Sequence, residues 1–197
     1  MLLLEHNLVV VRQKPKIVEV TNQYDLLDAD GVVIGKVCET GQSTARKALR
    51  MFTTFDQYLT HRYEVADAAG TVVLSLKRPA KIMKSRIEVS DARGVLLGTI
   101  VQRNIVGSKR FGFEGPDGSN LGEIQGENWV SWNFQIKDSS GELVGRVDKK
   151  FAGILREGFT TADTYVLALD ESLVGAPRAL AFAAAVAIDT ALKQDDA

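Results

Sequence analysis

Apolar and polar positions alternate with period two through most of the chain, and the alternation is broken at regular places by short turns. Five segments share one pattern: Tyr24 to Val37 (YDLLDADGVVIGKV), Tyr63 to Leu76 (YEVADAAGTVVLSL), Ile87 to Ile100 (IEVSDARGVLLGTI), Phe111 to Ile124 (FGFEGPDGSNLGEI) and Phe134 to Val147 (FQIKDSSGELVGRV). Period-two alternation predicts strands with one buried face. The turns D-A-D-G, D-A-A-G, D-A-R-G, G-P-D-G and D-S-S-G predict hairpins. An Asp at the first position accepts a backbone hydrogen bond two residues on, and a Gly at the last tolerates the positive φ that closes a type I turn into a bulged hairpin. The turn glycines Gly70, Gly94, Gly118 and Gly141 follow one another at 24, 24 and 23 residues, while Gly31 precedes Gly70 by 39, so the first interval carries an insertion.

A second glycine follows four residues later in four hairpins, at Gly35, Gly98, Gly122 and Gly145; Leu74 takes that place in the second. Glycine inside a strand costs stability, so a bend, a bulge or the close approach of another backbone is expected there, a helix against the inner wall among them. Leu8 to Arg12 or Ile17 to Val20 offers a further strand, and Tyr165 to Leu169 another. About twelve antiparallel strands is near the limit of one open sheet, so a closed barrel or a double layer follows. The insertion, Gly41 to Thr60, contains Ala45 to Phe52, whose periodicity is too short to separate helix from loop.

The C-terminal run reads differently. Pro177 to Lys193 (PRALAFAAAVAIDTALK) opens with a Pro and closes with a Lys, as a helix does, and Ala179 to Ile188 contains no polar residue. A helix apolar on every face must be buried in protein or lipid. A membrane span needs about 20 apolar residues. Here Arg178 precedes the run and Asp189 cuts it, so a buried core helix over about 177–193 is preferred. Its alanines make a thin rod suited to the bore of a barrel. Arg178, Phe182, Ala185 and Asp189 share a stripe, so the two charges are expected at opposite mouths. The fold class is therefore mainly β: a single domain over 1–197, a closed barrel of repeated hairpins around a C-terminal hydrophobic helix.

Composition narrows the chemistry. With 197 residues and a net charge of -1, the chain is long enough for one core and has no global basic field to attract nucleic acid. The single cysteine, Cys38, excludes an internal disulfide, favours a reducing compartment and is expected to be a small core residue. The N-terminus lacks a basic region and a small-residue cleavage site, so a signal peptide is not expected.

The run Lys149 to Tyr165 (KKFAGILREGFTTADTY), with Leu76 to Pro79 (LKRP) and Val144 to Val147 (VGRV), resembles the phospholipid scramblase family over roughly Tyr63 to the C-terminus. That family is similar to the LURP-one-related and tubby C-terminal proteins, and the resemblance implies a twelve-stranded barrel around a central helix. It also implies calcium-dependent movement of phospholipids, or phosphoinositide binding as in tubby domains. The chain departs from the family in three places. Ala80 to Arg86 holds no cysteine where eukaryotic members carry a palmitoylation cluster. The Pro-rich tail has no counterpart. The calcium segment, D-A-D in the family, reads Thr161-Ala162-Asp163. Asp163 and Asp170 are the residual calcium candidates, too few for a cation that takes six to eight oxygens, and no cofactor is expected.

Lys77, Arg78, Lys81, Lys84 and Arg86 put five basic residues into ten positions. Such a loop can meet anionic headgroups, each charge being worth about 1 kcal/mol near the surface; a solvated hairpin edge is the plainer reading. Trp129 and Trp132 suit core packing at a barrel end or an interfacial anchor. His6, His61 and Cys38 make no site, and no catalytic constellation appears, so an enzyme is not expected. The expected function is a scramblase-like, non-enzymatic module that binds anionic phospholipid headgroups, cytoplasmic or peripheral at the inner face of the membrane. The alternative is a cytosolic structural or protein-interaction barrel with no lipid role.

Overall fold

A computed structural model of the chain describes residues 2–13, 23–40, 60–79, 85–104, 107–127, 133–148 and 164–192. A 3-10 turn, Leu3–Glu5, precedes β1 (Leu8–Gln13). The hairpin strands follow: β2 (Gln23–Leu27), β3 (Val33–Thr40), β4 (His61–Asp67), β5 (Val72–Arg78), β6 (Arg86–Asp91), β7 (Leu96–Gln102), β8 (Arg110–Glu114), β9 (Asn120–Gly126), β10 (Phe134–Lys137) and β11 (Leu143–Asp148). β12 (Thr164–Leu169) leads into the helix α1 (Gly175–Leu192). Among the described residues the twelve strands pair antiparallel in sequence order, and β1 pairs with both β2 and β12 to close the barrel. Closure removes the edges that an open sheet of this width would expose. Leu8 to Arg12 thus supplies the first strand; Ile17 to Val20, Ala45 to Phe52, Trp129 and Trp132 lie outside the described residues.

The turns follow the chemistry of their sequences. Gly31, Gly70, Gly94, Gly118 and Gly141 have φ of 81°, 85°, 80°, 81° and 90°. In the third turn the Asp91 Oδ1 accepts the N–H groups of Arg93 and Val95, both at 2.9 Å. The fifth repeats this at Asp138, whose Oδ1 accepts from Ser140 and Glu142. A register shift follows every one of the five turns, the bulge that a type I turn with a left-handed Gly requires.

The second glycines answer to a backbone, and it is the neighbouring strand's rather than the helix's. A Cβ on Gly98 would stand 2.5 Å from the Glu114 carbonyl oxygen in β8 and 2.9 Å from the Leu180 Cδ1 of α1. Gly35 and Gly145 meet the carbonyls of Ala66 and Ala168 in the same way. At these three glycines the close carbonyl belongs to the strand on the side away from the hairpin partner, and the helix contributes only the Leu180 side chain at Gly98. Gly98→Ala is therefore expected to lower stability by about 2 kcal/mol. A urea midpoint equal to the wild type would show that β7 can yield without loss.

The helix fills the bore. Ala179 to Ala187 are each 4% exposed or less, on every face, and α1 touches β5 to β9 on one side and β12 on another. Around it pack the inward residues of the strands, among them Val37, Leu74, Val89, Phe113, Ile124 and Leu167. No helix is long and apolar enough to cross a membrane among the described residues. Cys38 corrects an expectation: Val37 and Glu39 take the inward phase of β3, so Cys38 faces out and is half-buried rather than in the core. A second small cluster, Val10, Leu27 and Val166, is buried on the opposite face of β1, β2 and β12.

Candidate functional site

The up-and-down topology sorts the connections to two ends of the barrel. The short Asp turns, 28–32, 67–71, 91–95, 115–119 and 138–142, and the 170–174 turn into α1, stand at one end. The strand ends at the other are joined through 14–22, 41–60, 79–85, 103–109, 127–133 and 149–163. Charge follows this division. The turns carry Asp28, Asp30, Asp67, Asp91, Asp117, Asp138, Glu142, Asp170 and Glu171 against Arg93 alone. The segments that join the strands at the other end carry by sequence Lys14, Lys16, Arg46, Lys47, Arg50, Lys81, Lys84, Arg103, Lys109, Lys149, Lys150 and Arg156 against Glu19, Asp56, Glu127, Glu157 and Asp163. By sequence, then, acids gather in the turns and bases in the segments that join the opposite strand ends, although the net charge is -1.

Three of the hairpin-turn carboxylates are held below their ordinary range by their turns. The backbone N–H of Val95 pulls the Asp91 carboxyl below its ordinary value, and the hydroxyls of Ser119 and Ser140 do the same for Asp117 and Asp138. A carboxyl depressed in the folded state contributes stability above its unfolded pKa of about 4 and loses it as the pH falls through the folded value. Urea midpoints are accordingly expected to drop below about pH 4 in the wild type. Replacing Asp91, Asp117 and Asp138 together by Asn, which keeps the acceptor and removes the proton site, should flatten that drop; equal slopes would remove these carboxylates as its cause.

The basic positions singled out in sequence separate on folding. Lys77 faces outward on β5 and its Nζ lies 3.0 Å from Glu88 Oε2 on β6, a half-exposed pair worth at most about 1 kcal/mol. Arg86 is exposed at the start of β6, and among the described residues it forms no ion pair. Arg78 is only 6% exposed, because it shares the inward phase of Leu74 and Leu76. Lys81 and Lys84 lie outside the described residues. The ten positions therefore do not form one solvated face: Arg78 belongs to the interior. Elsewhere on the outer wall, cations are matched across strands, Arg12 with Asp25 at 3.2 Å and Arg103 with Glu114 at 3.0 Å.

Arg78 has company that was missed in the sequence. Across β4 it stands opposite His61, whose Nδ1 lies 2.6 Å from Glu39 Oε1 with both side chains fully enclosed. The His61 ring stacks on Tyr63 at a centroid distance of 6.4 Å. Glu39, His61 and Arg78 thus form a buried polar group on the inner wall, at the same end as the basic connections. Strand phase is the signal that would have found it: each residue continues an inward apolar alternation, Gly35-Val37, Val65-Tyr63 and Leu74-Leu76.

Of the calcium candidates, Asp170 is committed to its turn. Its Oδ1 accepts the Ser172 N–H at 2.8 Å, and the Ser172 side chain holds its pKa low. Asp163 lies outside the described residues, and among the described residues no group of three or more His, Cys, Asp or Glu is placed to hold a metal.

At the acidic end, Arg178 in the first turn of α1 closes the mouth. Its Nε donates to the Leu4 carbonyl at 2.6 Å, its Nη1 to the carbonyls of Asp170 and Leu173 at 3.0 and 3.1 Å, and its Nη2 to the His6 carbonyl at 2.9 Å and Asn7 Oδ1 at 2.8 Å. All five guanidinium donors are taken. Burial pulls its pKa below the ordinary value, against the carboxylates of Glu171 and Glu5.

A barrel of sequential hairpins closed around its own C-terminal helix is the architecture implied by the resemblance, and the family model described as Scramblase matches residues 1–192. The chain belongs to the scramblase family. Two curated relatives agree. A phospholipid scramblase family protein of Schizosaccharomyces pombe is 28% identical over 157 residues, 76% of this chain and 41% of the relative. The Altered inheritance rate of mitochondria protein 25 of Saccharomyces cerevisiae is 26% identical over 179 residues, 77% of this chain and 53% of the relative. The chain thus spans about half the length of the curated relatives it matches. No solved structure matches it. In this scramblase-family barrel the bore is occupied by α1, so ligands have access to the ends and the outer wall rather than to a central pocket.

Proposed function

We propose that this scramblase-like protein is a non-catalytic module that binds anionic phospholipid headgroups at a membrane surface through the basic end of the barrel. The observation that carries the reading is the axial separation of charge: the acidic turns are repelled by an anionic surface and the opposite end is drawn to it, so the barrel approaches in one orientation. Lys77, Lys81, Lys84 and Arg86 are the proposed contacts. Arg78, being buried, supports the strand end from within. Cytoplasmic residence, peripheral at the inner face, fits the same reading, as does membership of the family. The movement of lipid between leaflets rests on that membership alone.

Co-sedimentation with neutral and anionic vesicles, at low and high salt, with calcium and with chelator, tests this. Binding is expected to anionic vesicles only, to weaken with salt, and to be unchanged by calcium. Replacing Lys77, Lys81, Lys84 and Arg86 by Ser should cost about 1 kcal/mol per residue, enough in sum to abolish it. Absence of binding under every condition would overturn the reading and leave a protein-interaction barrel as the better account.

A further inference from the structure

The acidic end of the barrel has its own cavity, remote from the proposed headgroup contacts. It has a volume of about 650 Å³ and lies where α1 enters the bore, between the 3-10 turn and the turn that precedes the helix. Leu3, Leu4, Leu173 and Ala179 line it, and Arg178 stands in its wall. Leu2 and Val174, 70% and 68% exposed, stand at its lip. The large exposed aliphatic side chains among the described residues all stand at this end, with Val32, Val95 and Leu143 following the turns around the rim. Leu2 and Val174 adjoin the apolar cavity and extend its lining into solvent, the kind of continuous apolar surface that marks an interaction site.

The polar groups of the cavity select the partner. Arg178 has no donor left for a phosphate or a carboxylate, because its five N–H groups are spent on Leu4, His6, Asn7, Asp170 and Leu173. What remains at the rim accepts rather than donates. Glu5 Oε2 takes the Leu2 N–H at 3.0 Å and Glu171 Oε1 takes the Asn7 side-chain N–H at 3.1 Å, and each carboxylate keeps a second oxygen. The neighbouring turns add fixed negative charge. A lipid headgroup brings a phosphate, which this rim repels. From these features the geometry points to a protein segment as occupant, one that seats aliphatic side chains in the cavity and offers Lys or Arg to Glu5 and Glu171. Such a site leaves the basic end free, so the barrel joins a basic-apolar partner at one mouth to an anionic surface at the other.

The test uses the full chain and a fluorescent amphipathic peptide of lysine and leucine, with anisotropy as the readout. Saturable binding is expected. It should weaken about tenfold in Glu5→Gln/Glu171→Gln and about tenfold in Leu2→Ser/Val174→Ser. Gln keeps both acceptors, and the second pair is exposed, so thermal midpoints should be unchanged. A peptide with glutamate for lysine, or serine for leucine, should not bind. Any of four results overturns the proposal: no binding of the lysine–leucine peptide, equal affinity in the variants, equal binding of the glutamate peptide, or binding of phosphatidylcholine vesicles lost in Leu2→Ser/Val174→Ser, which would place a lipid there instead. Concentration-dependent self-association lost in the same variants would place a second copy there and overturn it too. Serine at Lys77 and Arg86 should leave peptide binding intact, so the site and the headgroup reading fail separately.

Discussion

Deleting residues 179–191 is expected to abolish cooperative unfolding altogether and leave an aggregating chain, not a soluble empty barrel. The helix buries Leu180, Phe182 and Val186 at 0–1% exposure, and each such side chain is worth about 1.5–3 kcal/mol. Removing it also bares the facing wall, where Leu74, Val89, Ile100, Phe113 and Ile124 would surround a water-filled bore. Domains are stable by only about 5–15 kcal/mol, so the sum exceeds what the fold can lose. Near-ultraviolet circular dichroism and a thermal scan decide the matter. A folded monomeric barrel after deletion would mean that the strands hold without the helix and that the helix serves another purpose, a membrane one included.

Arg178→Met has the next largest effect, a loss of about 3–5 kcal/mol. Methionine fills the stem's volume but supplies none of the five donors, so the carbonyls of Leu4, His6, Asp170 and Leu173 and the Asn7 amide oxygen lose their partner together. Leaving one buried and several part-buried acceptors unsatisfied costs more than the net value of the bonds themselves. The neighbouring cavity admits water that can replace some of them, which is why the loss stops short of unfolding. The same residue ties the N-terminal 3-10 turn to the helix, so hydrogen exchange at Leu2 to Asn7 should rise with the fall in the urea midpoint. Lysine at this position should restore little, since an ammonium cannot reach five acceptors arranged around a planar fork.

Much of this architecture was legible in the repeat. Period-two alternation and the Asp-x-x-Gly turns specify five hairpins because both signals are local: a residue's strand face and a turn's φ depend on neighbours within a few positions. The all-apolar run after Pro177 specifies a buried helix for the same reason. The approximate strand count followed from the number of hairpins, which left a closed barrel or a double layer; the family resemblance implied the closed form. The basic run from Lys77 to Arg86 was legible as composition, but its division between faces was not read from the strand phase that already contained it; Arg78 continues Leu74 and Leu76 into the bore. Cys38 was misplaced by the same omission.

What sequence by itself determined, then, is the class of element at each position, the barrel and its occupant, and a family that its motifs announce. Only the tertiary structure decided which residues meet across the chain. The Glu39–His61–Arg78 group needs three strands in one register, and the Arg178 bonds to Leu4, His6 and Asn7 join residues separated by more than 160 positions. The acidic and basic ends, too, are invisible in a net charge of -1, because charge is sorted by strand direction, and direction has meaning only once the barrel closes. Local preferences act through a few bonds; contacts and fields act through space, and the fold alone determines which distances are short.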